Sequence, residues 1–161
     1  AAWVGGVVYA AGATEQSVAL LVTLAVIVPF LLWNGLIGFV VFLHHTNPAI
    51  AWFQNRQEWQ RCRAYLTSTA CVRFPWGIDR LMHNIMEHNA HHLNPGIPMF
   101  TLRAAQQVLR DKFPDLCDYR LNRRTYMDVV QRCKLYDFAN HQWLDFDGKV
   151  TARVTLANAA A

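Results

Sequence analysis

The first 55 of the 161 residues contain no lysine or arginine, and Glu15 is their one charged side chain. All fifteen basic residues lie from Arg56 onward. A net charge of +4 so distributed fits nucleic acid poorly, because a third of the chain is apolar anchor. Anionic lipid headgroups suit it better. The four cysteines, Cys62, Cys71, Cys117 and Cys133, show no CxxC spacing. They are expected as reduced thiols, without a thiolate metal site or a disulfide framework. Internal repeats, low-complexity tracts and glycine-rich phosphate loops are also missing from the sequence.

What fills the uncharged third is a long apolar run. Val18 to Leu43 carries no charge, and Thr23 and Asn34 are its only clearly polar members. A spanning helix needs about 20 apolar residues, so this run can cross a bilayer with some tilt. Its length and the lack of a basic flank or a small-residue cleavage site separate it from a signal peptide. The rival is a buried helix of a large soluble protein. Trp3 to Ala11 is a second apolar stretch, too short to cross alone, and it reads as the end of an earlier spanning helix that turns at "GATEQS". The chain therefore reads as a fragment. Arg56, Arg61, Arg63, Arg73 and Arg80 follow the long run directly, which predicts a cytoplasmic location for everything after His45. Trp52, Trp59 and Trp76 suit an interfacial aromatic belt.

The fold expected is mainly α. It is a membrane helical bundle fragment, with one full spanning helix and part of another, under a mostly helical cytoplasmic cap. Residues 1–45 form the transmembrane part, 46–112 a histidine-rich cytoplasmic region and 113–161 a cytoplasmic tail. Pro29 interrupts the spanning run, which a membrane helix tolerates if the freed carbonyl finds another donor. Asn47-Pro48 should end the helix. Trp52 to Ala70 reads as an amphipathic surface helix, and Ile78 to His92 as a helix stopped by Asn94-Pro95-Gly96. Phe100 to Lys112 should be helical with Leu102, Ala105, Val108 and Leu109 on one face. Arg124 to Cys133 reads as a short helix, and Asp147-Gly148 as the turn of a hairpin.

Histidine is unevenly spread as well. His83, His88, His91 and His92 lie within "HNIMEHNAHHLNPGIP", although the whole chain has seven. Crowded imidazoles repel one another when protonated, and a metal ion is the usual agent that keeps such rings neutral. On a helix with His88 as zero, His92 sits near about +40°, His91 near about −60° and Asn84 near about −40°. These four share one arc, and His83 falls outside it. His44 and His45 are neighbours and diverge by about 100°, so one of them at most faces a shared site. His45 continues a stripe of Asn34, Gly38 and Val41, and polar groups on a membrane helix belong inside the bundle. His44 and His141 read as interfacial or hydrogen-bonded residues, and Asn34 serves equally as glue between helices. HxxHH with Asn at position 84 lacks the general base of a zincin protease. Three histidines on one face exceed the two axial ligands of haem, and imidazole-rich sites with open positions suit iron that binds oxygen.

The segment "HNIMEHNAHHLNPGIP" resembles the third histidine box of the membrane-bound fatty acid desaturases, HxxHH followed by Leu and Pro. "VPFLLWNGLIGFVVFLHHTNPAI" is similar to the spanning helix and QHT-x-P motif of the delta-12/omega-6 acyl-lipid branch, with His44 where that branch commonly has Gln. The resemblance runs from about Val28 to Pro98. It implies a non-haem diiron centre using O2 and two electrons from ferredoxin or cytochrome b5 to desaturate a fatty acyl lipid. It further implies His88, His91, His92 and His45 as iron ligands, with His83, Asn84 or Glu87 orienting them or adding to them. The family's two other histidine boxes have no counterpart before residue 44. That departure implies that an N-terminal half is missing or that the chain does not work alone. Two rivals remain open: a related diiron hydroxylase, acetylenase, alkane monooxygenase or carotenoid-modifying enzyme, and a non-catalytic membrane fragment without iron.

Overall fold

The structure, a computed structural model, describes residues 1–156, which divide into two compact units at Val41/Phe42. The first unit is a helical hairpin. Helix α1 (Ala2–Ala13) turns through Glu15, in the left-handed region, into α2 (Val18–His45). Ser17 caps α2 by accepting from the Leu20 N–H at 3.4 Å. Only 11% of the most apolar window of α2 is buried. It is long and apolar enough to cross a membrane and is not wrapped as the core helix of a soluble domain would be.

Pro29 explains an irregularity in α2. Proline has no N–H, so the carbonyl four residues earlier, on Ala25, loses its usual donor. The helix widens to a π turn over Thr23–Ile27, where the Val28 N–H bonds Thr23 O, and the Trp3 indole donates to Ala25 O at 3.2 Å. The freed carbonyl thus has another partner. Asn34 donates to Phe30 O of its own helix at 2.8 Å, which is back-bonding rather than glue between helices.

The second unit begins at Phe42, in the last turn of α2. Asn47-Pro48 stops that helix, and Asn47 turns the chain by accepting the Ala49 N–H at 2.9 Å. The expected helix from Trp52 to Ala70 is instead two short pieces, α3 (Arg56–Arg61) and α4 (Ala64–Thr67). Arg63, at φ +50°, breaks them apart, and Asn55 caps the first. Strand β1 (Cys71–Arg73) pairs in parallel with β2 (Asp118–Arg120), a pairing between short segments that alternation does not reveal.

The expected helix from Ile78 to His92 is also interrupted. It forms α5 (Ile78–Leu81), a left-handed pair at His83 and Asn84, and then α6 (His88–Leu93). Two consecutive residues at φ +53° and +59° cannot belong to a right-handed helix. Helix α7 (Leu102–Lys112) buries Leu102, Gln106 and Leu109. Val108 stays exposed because it stands about 120° from Leu102 at 100° per residue. Leu66, Ala90, Leu102 and Leu109 form the core beneath α6.

The tail is a helix and a meander. Helix α8 (Arg123–Arg132) starts at a capping box of Asn122 and Thr125. Strands β3 (Leu135–Asp137), β4 (Gln142–Leu144) and β5 (Val150–Arg153) form an antiparallel sheet in that order. The expected β4–β5 hairpin is present, with Gly148 at φ +80° in its turn, and β3 joins it as a third strand. Trp143, 1% exposed, donates to Ile50 O at 3.1 Å and fastens the sheet to the loop after α2.

Candidate metal centre

Three histidines meet where the end of α2 faces α6. His45 Nε2 lies 3.3 Å from His88 Nε2, which lies 3.2 Å from His92 Nε2. These three nitrogens are all within 4.8 Å of one another. His88 and His92 are one turn apart on α6, so their rings rise from the same face. His45 reaches them because Asn47-Pro48 ends α2 immediately behind it.

Hydrogen bonding decides which ring nitrogens converge. His45 Nδ1 is 3.2 Å from Ser68 O, and His88 Nδ1 is 3.2 Å from Ile85 O. A carbonyl can only accept, so both Nδ1 atoms carry the proton and both Nε2 atoms present lone pairs. Lone pairs 3.3 Å apart repel unless a cation sits between them. The donor set therefore fits a transition metal bound by neutral imidazoles. Burial, reinforced by the neighbouring imidazoles, pushes His88 down to about 2 and His92 down to about 4. Both rings are thus neutral and available as ligands at physiological pH.

The remaining candidates lie around this group in different ways. His91 is outside it, its ring centroid 5.6 Å from His88 and 6.0 Å from His92. His83 is exposed on the left-handed turn. Asn84 shares that turn and donates to Met99 O at 3.2 Å, so it leaves the arc that a continuous helix would have given it. Glu87 is buried but aims away from the rings. Its carboxylate takes Arg110 at 2.9 Å and the Cys71 thiol at 3.0 Å, and Arg110 in turn holds Asp118 at 2.6 Å.

His44 is a hydrogen-bonded residue, as its sequence position suggested, but it also lies against the imidazole group. It is fully buried, its ring stacks 4.1 Å from that of His88, and its Nδ1 donates to Ala70 O at 2.7 Å. Nothing local signals this, because its partners lie 26 and 44 residues away. Two buried amides, Asn89 and Gln106, were missed by sequence reasoning. The only trace of Asn89 in the sequence is a polar residue about 100° round the HxxHH helix from His88.

Converging imidazoles that could hold a metal ion, at the end of a helix long and apolar enough to cross a membrane, define the class. The chain belongs to the fatty acid desaturase family, whose model matches residues 1–123. It is 31% identical over 112 residues to the chloroplastic omega-6 fatty acid desaturase of Spinacia oleracea, covering 69% of this chain and 25% of that protein. It is 29% identical over 121 residues to the sn-1 oleoyl-lipid 12-desaturase of Picosynechococcus sp., covering 74% and 34%. These relatives set it in a delta-12/omega-6-like branch. The chain spans a quarter to a third of the length of the curated relatives it matches.

Proposed function

We propose that this chain is the part of an O2-dependent non-haem diiron desaturase that carries the third histidine box, and that the whole enzyme introduces a double bond into a fatty acyl chain of a membrane lipid. The observation that supports this most is the set of three Nε2 atoms from His45, His88 and His92, two with their Nδ1 protons already given to backbone carbonyls. Iron, when bound, supplies the oxygen-dependent removal of two hydrogens from an unactivated methylene pair. The residues of this chain hold that iron as neutral ligands and fix its position. His45, His88 and His92 would hold it, with His91 beside them. Such a site needs two electrons per turnover, from a donor such as ferredoxin or cytochrome b5. The basic residues after α2 suit a cytoplasmic location for the histidines in a multi-pass protein.

The test uses the full-length enzyme in membranes. His88→Ala, His91→Ala and His92→Ala are each expected to abolish unsaturated product while leaving membrane insertion intact. Gas chromatography of the acyl chains reads the outcome and separates a double bond from a hydroxyl or a triple bond. Wild-type unsaturation from any variant removes that residue from the ligand set. Wild-type iron content in all three rejects the metal reading.

A further inference from the structure

About 100° round α6 from His88, Asn89 is fully buried with every hydrogen-bonding atom of its amide occupied. Its Nδ2 donates to Leu66 O at 3.0 Å and to Thr69 O at 2.8 Å. Its Oδ1 accepts from Gln106 Nε2 at 3.1 Å. Gln106, also fully buried, accepts the Ala90 N–H at 2.9 Å through its own Oε1. That N–H belongs to the first turn of α6, where backbone donors have no partner within the helix, and Glu87 at the N-cap makes no side-chain cap. Gln106 of α7 therefore caps the histidine helix from outside.

The backbone that Asn89 grips is the same backbone that orients the upstream histidines. Ser68 O receives His45 Nδ1, and Ala70 O receives His44 Nδ1. The Ala70 N–H and the Thr69 hydroxyl both return bonds to His44 O, at 2.8 and 3.3 Å. Residues 66–70 thus lie between two helices that each carry ligands, bonded to both. We propose that Asn89 and Gln106 are positioning residues: as a buried amide pair they hold residues 66–70 against the histidine helix, and so set the tautomer and the angle at which His45 meets His88 and His92. The inference deepens the metal reading proposed above and rests on it for its functional meaning. Ligand orientation through groups of this kind commonly governs metal affinity by about 10–100-fold.

The experiment has one readout that needs no metal. The full chain, held in detergent micelles with 15N in its imidazole rings, reports ring tautomers by NMR at about pH 8, where ordinary histidines are neutral. Wild type is expected to show His45 as the Nδ1–H form. Asn89→Leu, which keeps the branched outline of the amide, and Gln106→Met, which keeps the length of the side chain, are expected to show His45 as a mixture of tautomers with helical circular dichroism unchanged. Co2+ titration of the same samples is expected to give at least about tenfold weaker binding than wild type. The double variant Asn89→Leu/Gln106→Leu leaves no orphaned side-chain amide and keeps the comparison possible if a single variant unfolds. A wild-type His45 tautomer in the folded variants would overturn the proposal, as would undiminished Co2+ affinity. Failure of the metal reading looks different: wild type and His88→Ala would bind Co2+ equally, whatever the tautomer signals show.

Discussion

His44 and His45 are adjacent and face different surroundings, which gives them different work. His45 presents Nε2 to the Nε2 atoms of His88 and His92, whereas His44 is shut in, donating to Ala70 O and stacking on His88. A glutamine amide can also donate to a carbonyl, so His44→Gln is expected to keep most metal and activity. His45→Gln is expected to lose at least about tenfold in metal affinity, read as iron content of the purified full-length enzyme. If His44→Gln proves the metal-free variant, the ligand assignment moves to His44. Protonation provides a second residue-level test. A histidine pushed down by burial takes no proton in the folded state, while the unfolded chain does so below about 6.5. The contribution is therefore absent above pH 6.5 and turns unfavourable as pH falls, until about 4 for His92 and about 2 for His88. The metal-free chain should lose urea resistance steadily from pH 6.5 to 4.5, and His88→Asn should flatten that slope. An equal slope in both would contradict the buried neutral ring.

Among the elements, the breaks are as informative as the helices. The turn between α5 and α6 lets His88 start a new helix, and its left-handed residues are His83 and Asn84. Glycine adopts that conformation without a Cβ clash. His83→Gly is accordingly expected to leave both stability and iron content at the wild-type level, which a ligand could not do. The β4–β5 turn tests the same physics in reverse. Gly148, at φ +80°, follows Asp145, whose carboxylate accepts the N–H groups of Asp147 and Lys149. Gly148→Val should cost about 1–2 kcal/mol, measured by chemical denaturation. No loss of stability would mean that the turn relaxes into another type.

At the scale of the molecule, the asymmetry of charge is the main lever. The basic residues from Arg56 onward predict that this part stays on the cytoplasmic side, with residues 12–17 across the membrane. The native thiols are poor reporters of this, because burial pushes Cys117 and Cys133 up to about 12 and leaves little thiolate to react. Exposed positions serve better. In intact cells, Gln16→Cys is expected to react with a membrane-impermeant maleimide and Arg123→Cys only after lysis. The reverse pattern would invert the topology.

Much of this protein follows from patterns of short range. An uncharged run sets the long helix, Asn47-Pro48 its end, Asp147-Gly148 the hairpin, and a spacing of four the face that His88 and His92 share on α6. Each depends on residues within a turn or two of one another, so the sequence alone determines them. Tertiary structure decided the rest. It broke two expected helices at Arg63 and at His83–Asn84, paired β1 with β2 across the 44 positions between them, and turned Glu87 from the imidazoles to Arg110. It also brought His45 to within 3.3 Å of His88, 43 residues away, through carbonyls of Ser68 and Ile85 that any residue would supply. Backbone carbonyls carry no residue code, and a left-handed turn at a histidine costs only a kilocalorie or two. Neither leaves a mark that local patterns could reveal; both exist because burying the imidazoles and the core beneath them outweighs that cost.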